Sequence, residues 1–197
     1  MRLRRSLGVL AAVMLFTTAC TPDEATLSTP ATAITGAIAD SSPYICKLVP
    51  EQAFRLISGM NSTLPEETVG TTTNGDCRAS NAGSKSLTVA WMQEAAESTR
   101  EYLGYIMEDR RKAYSRHGAA ILPTDLGEGL AVRFPEGPFG DQPYRVVARF
   151  NCGGKQRIIT LYLAQIAKGR DGIRDMIELM RIAQKRYGRL YTCTPGK

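Results

Sequence analysis

Apolar residues recur along this chain with two different periods. Between Ser86 and Trp91 they alternate, with Leu87, Val89 and Trp91 set between Ser86, Thr88 and Ala90. A period of two marks a strand with one buried face. Leu130, Val132 and Phe134 alternate in the same way. The runs YRVVARFNC and KQRIITLYLAQI flank Gly153–Gly154, a two-residue signal for a tight hairpin. Upstream, TVGTTTNGDCRASN reads as one strand, joined to KSLTVAWMQ through the turn residues NAGS.

Elsewhere the period lengthens toward that of a helix. VPEQAFRLISG predicts a short helix, with Pro50 at its first position, Gly59 as its left-handed stop, and Phe54 and Ile57 on one face. In STREYLGYIMEDRRKAYSRHG, Ser98 and Glu101 have capping-box spacing, which makes Ser98 the expected N-cap. Thr99, Leu103, Ile106, Arg110 and Ala113 share a side of that helix, flanked by Tyr102 and Met107. DGIRDMIELMRIAQKRYG carries a broad apolar stripe of Ile173, Met176, Ile177, Met180, Ala183 and Tyr187. Arg174, Glu178 and Arg181 pair along its wet side. The order is helix, two strands, helix, about three strands, helix. It predicts a two-layer α+β domain, an antiparallel sheet of about five strands with three helices packed mainly on one face.

The first twenty residues follow another pattern. Arg2, Arg4 and Arg5 precede an uncharged run from Leu7 to Phe16, and Thr17, Thr18 and Ala19 lead into Cys20. This is the layout of a secretory signal peptide. The apolar run is half the roughly 20 residues that a membrane span needs. The cysteine after small residues resembles the lipobox of bacterial lipoproteins, although Thr17 stands where Leu or Val is usual. That resemblance implies removal of residues 1–19, diacylation of Cys20, and a lasting anchor on the extracytoplasmic face of the cell membrane. Residues 21–43 are rich in Thr, Ser, Ala and Pro and lack aromatics, so 20–43 is expected to be a lipidated, disordered tether. Residues 44–197 then suit one domain.

Export changes how the rest is read. The whole chain carries +6, but the leader holds three arginines, which leaves 22 basic and 19 acidic residues, or +3. So weak a basicity, outside the cytoplasm, argues against a nucleic-acid partner. Cys46, Cys77, Cys152 and Cys193 form an even set, which in an exported chain implies disulfides. Four cysteines can pair in three ways; nearest neighbours, Cys46 with Cys77 and Cys152 with Cys193, are favoured because each bridge then staples one end of the domain. No CxxC pair exists and His117 is the sole histidine, so neither a metal nor a cofactor is expected. His117 beside Gly118 reads as a charge at a helix end. Arg110, Arg111, Lys112 and Arg116 complement the same end, with an anionic-lipid patch as their functional alternative.

Catalytic patterns are missing from the sequence. There is no G-x-S-x-G nucleophile elbow and no S-x-x-K with a K-T-G partner. Glu66, Glu67, Glu94, Glu97 and Asp125 form no recognisable acid–base pair. Trp91 is expected to be core. CKLVPEQAFRLISG, GDCRAS and SLTVAW together resemble a family of small actinobacterial exported lipoproteins known only as a domain of unknown function. The resemblance covers about residues 44–93. It departs where Arg78 and Ala79 follow Cys77 in place of a Cys-x-Trp pattern. It implies export, a Cys46–Cys77 bridge and an α+β fold, and no activity. The expected function is a non-enzymatic binding or accessory module for an envelope protein. The alternative is a carrier or sensor of a small apolar or lipid ligand between sheet and helices, lined by Tyr102, Tyr105, Met107, Met176 and Met180. A pocket of roughly 300 Å³ favours the second, a flat apolar patch the first.

Overall fold

The computed structural model describes residues 36–81, 84–135 and 140–196. Cys20, the leader and tether residues 20–35 lie outside them. The described end of the expected tether, 36–43, is tied to the domain. Ile38 packs on the core, and Asp40 accepts a hydrogen bond from the Tyr44 hydroxyl at 2.9 Å and ion-pairs with Arg189 at 3.2 Å.

The chain then makes a small hairpin, β1 (Tyr44–Ile45) and β2 (Val49–Pro50), and turns into α1 (Glu51–Ser58). Gly59 ends that helix at φ 71°, as its place in the sequence predicts; Pro50 sits one position earlier than expected, as the N-cap. Strands β3 (Glu66–Gly70), β4 (Asn74–Asn81) and β5 (Ser84–Gln93) follow as a meander. Next come α2 (Glu97–Ser115), β6 (Ala120–Ile121), a 3-10 turn at Thr124–Leu126, and β7 (Glu128–Arg133). The hairpin of β8 (Tyr144–Cys152) and β9 (Lys155–Leu163) turns at Gly153 and Gly154, whose φ values of 64° and 73° are those of a tight hairpin loop. Helix α3 (Gly172–Leu190) and β10 (Pro195–Gly196) close the chain.

The α+β class is observed, but the sheet has eight strands, in the order β3-β4-β5-β9-β8-β7-β6 with β10 beside β8, all antiparallel. Two causes separate eight from about five. TVGTTTNGDCRASN is two strands, because it turns between Thr71 and Asn74. The two-residue strands β6 and β10 are too short to show any periodicity.

The layers also differ from expectation. Helices α1 and α3 cover one face, where Ile57, Val89, Val146, Ala148, Leu161, Met176 and Met180 form one core. Helix α2 covers the other, where Leu103 and Met107 meet Leu130, Val132, Val147 and Ile158. The domain therefore has three layers. The consecutive buried residues Val146, Val147 and Ala148 report this directly, since a strand covered on both faces has no polar side. Helix α2 begins at Glu97 without a side-chain cap, so Ser98 is not its N-cap. Helix α3 begins with a side-chain cap, the Asp171 carboxylate accepting the Arg174 N–H at 3.1 Å.

Candidate functional site: a cleft beside the Cys46–Cys77 bridge

Helix α3 does not extend over the β3–β4–β5 end of the sheet, and a cleft of about 330 Å³ opens there. Its floor is Thr68, Gly70, Cys77 and Trp91, residues that the ladder registers place on neighbouring strands. One wall is the β1–β2 turn, Cys46 to Leu48; the other is the end of α3 with Tyr187, Leu190 and Tyr191.

Each part is held by a specific contact. Gly75 lies under the Trp91 ring, and a Cβ there would sit 2.9 Å from the indole. The Trp91 Nε1–H donates to the Thr71 carbonyl at 2.9 Å, which fixes the ring plane. In the β1–β2 turn Cys46 and Lys47 both adopt left-handed backbone, at φ 50° and 62°. Non-glycine residues reach that region at a cost of about 1–3 kcal/mol each. Two contacts hold the turn against it. The Cys46 N–H donates to the Glu66 Oε2 at 2.8 Å, and the Cys46–Cys77 disulfide ties it to β4 across a Cα separation of 5.6 Å. The Tyr187 and Tyr191 rings lie 4.3 Å apart between centroids, tilted by 38°, and burial raises the Tyr187 phenol above its ordinary pKa. Leu190 and Tyr191 are partly exposed at the mouth.

The cleft brings Trp91, Tyr187 and Tyr191 together with the polar groups of Lys47, Glu66 and Thr68. Cys46, Glu66 and Cys77 are the one group among the described residues with metal-ligand spacing. Both sulfurs are consumed in the disulfide, so a single carboxylate remains. The Glu66 oxygen lies 3.8 Å from the Cys77 sulfur, which has no proton to donate.

No protein family, curated protein or solved structure matches this chain.

The cysteine pairs are those favoured from the sequence. Cys152 and Cys193 are bridged at a Cα separation of 5.4 Å, which ties β8 to the C-terminal segment. The five residues expected to line a ligand pocket are not brought together. Met107 lies in the α2 core, Met176 and Met180 in the α3 core, with the sheet between them. Tyr102 and Tyr105 stack at 6.4 Å on the outer side of α2, 53% and 69% exposed. Trp91 is only partly buried, at the core margin, and lines the cleft.

The remaining candidates have neighbours within the domain. Arg111 bridges Glu108 and Glu128, Lys112 reaches Glu108 at 3.6 Å, and Arg110 lies 3.7 Å from Asp109. Three of the four clustered cations thus have carboxylate neighbours. The His117 ring packs 4.7 Å from that of Phe134. Asp125 pairs with Arg181, and Glu94 with Arg100 at 2.6 Å. The sequence reading missed Lys47, Thr68, Leu190 and Tyr191 because they are distant in the chain and polar or terminal in their elements. The turn residues TTTNG, read as a hairpin, would have placed Thr68 and Trp91 in one sheet.

Proposed function

We propose that this chain is a lipoprotein anchored through Cys20 on the extracytoplasmic face of the cell membrane. Its domain is a non-enzymatic binding module that holds an apolar group of a ligand in the cleft beside Trp91. The observation that carries the reading is the cleft itself. At about 330 Å³ it falls within the size range of small-molecule sites, and it joins three aromatic side chains to a few polar groups. The anchor rests on the order of charged, apolar and small residues before Cys20.

Trp91 is the sole tryptophan, so its emission reports on this cleft alone. Titration with n-octanol as a minimal apolar probe is expected to shift that emission saturably. Leu190→Arg, which places a charge at the mouth, is expected to abolish the shift. A wild-type emission unmoved by n-octanol would sink the binding reading. The anchor is tested separately: Cys20→Ala is expected to release the protein from membranes into the soluble exported fraction.

A further inference from the structure

Strand β3 ends the sheet on its side; among the described residues it pairs with β4 and with nothing beyond. All five of its residues are exposed. The ladder says which backbone groups are left over. The Ser80 N–H donates to the Pro65 carbonyl at 3.1 Å and the Thr71 N–H to the Asn74 carbonyl at 2.8 Å. Positions 65 and 71 are therefore hydrogen-bonded positions, and in an antiparallel ladder these alternate with non-bonded ones. Glu67 and Val69 aim their N–H and C=O groups at β4. Glu66, Thr68 and Gly70 aim theirs outward. The same three residues line the cleft.

We propose that the β3 edge takes up an extended peptide of a partner protein as an added antiparallel strand, with one apolar side chain of that peptide seated in the cleft. The inference rests on the cleft being the binding site and names the class of ligand. A peptide residue opposite Thr68 carries its side chain to the face Thr68 faces, because directly opposed residues share a face. That face is the cleft. Edge pairing supplies affinity through main-chain hydrogen bonds, and the pocket for an alternate side chain supplies selectivity. Charge gives the partner a second feature. Neither Glu66 nor Glu67 forms an ion pair with a lysine or arginine among the described residues. A peptide with Lys or Arg flanking its apolar residue complements them.

The test uses the full chain and a capped heptapeptide in which lysines flank alternating threonine and valine around a central phenylalanine. Trp91 emission is expected to shift saturably on its addition. N-methylation of the phenylalanine amide, which points at β3, is expected to weaken binding about tenfold, the scale of one hydrogen bond left unmade. N-methylation of the next amide, which points to solvent, is expected to leave binding within a factor of about two. Thr68→Pro removes an outward N–H and no rung of the β3–β4 ladder, so it is expected to weaken the peptide similarly. Peptide binding indifferent to both changes overturns the proposal. So does a wild-type chain that takes n-octanol and not the peptide, which leaves the cleft reading standing; loss of both probes removes both. A dimer in sedimentation that Thr68→Pro dissociates assigns the edge to a second copy and likewise overturns it.

Discussion

Gly75 has no side chain because the Trp91 ring and the Val69 carbonyl occupy its space. A Cβ at this position would lie 2.5 Å from that carbonyl and 2.9 Å from the indole. Overpacking of this kind costs about 1–3 kcal/mol. Gly75→Ala is therefore expected to lower the thermal midpoint and to alter Trp91 emission, both read in one fluorescence-monitored melt. Glu94 shows how one carboxylate ties an element down. Its side chain accepts from Arg100 at 2.9 and 2.6 Å and from the Gln156 N–H at 2.9 Å, joining the start of α2 to the β8–β9 hairpin. The Arg100 guanidinium first, and the Gln156 N–H second, hold its carboxyl below the ordinary value of 4.5. A carboxyl depressed in the folded state contributes stability that is present above its unfolded pKa and is lost as pH falls through the folded value. The stability gap between wild type and Glu94→Gln, measured by denaturant titration, is accordingly expected to be widest near neutral pH and to shrink in acid below 4.5.

Among elements, the β1–β2 hairpin depends most on what surrounds it. Its turn places Cys46 and Lys47 in left-handed backbone, which Asn or Gly would enter more readily. The Cys46–Cys77 bridge joins this turn to β4 across a sequence separation of 31. Bridges over loops of that size contribute about 2–4 kcal/mol, chiefly by restricting the unfolded chain. The double change Cys46→Ser and Cys77→Ser is expected to reduce unfolding free energy by about that amount in chemical denaturation. It also frees one wall of the cleft, so the n-octanol response of Trp91 is expected to weaken even where the domain remains folded. A response of full strength in a folded double variant would show that the turn does not shape the site.

For the whole molecule, the deciding feature is a sheet covered on both faces. Met107 belongs to the core under α2 and Met176 to the core under α3. Truncation of a buried methionine costs about 2–5 kcal/mol. Residues that share no partner add within about 0.5 kcal/mol. Met107→Ala and Met176→Ala are expected to destabilise additively in denaturant unfolding. A coupling well beyond that margin would mean that the two cores communicate through the sheet.

Local pattern was enough for the helices, the β8–β9 hairpin and the end of α1 at Gly59. Each depends on a few neighbouring residues whose backbone preferences are their own. The cysteine pairs were legible for a related reason, since each favoured bridge joined nearest neighbours in the chain. The placement of α2 was not legible. An amphipathic stripe says that a helix buries one side, and it carries no information on which face of a sheet receives it. Only the registry of β7, β8 and β9, with Val147 and Ile158 pointing away from Val146 and Ile159, decides that. The cleft is a product of the same decision. It exists because α3 covers part of one face and stops short of the β3–β4–β5 end, leaving Thr68, Trp91 and Tyr191, far apart in sequence, around one hollow. Periodicity is a property of neighbours along the chain, and a cleft is a property of elements that meet across it.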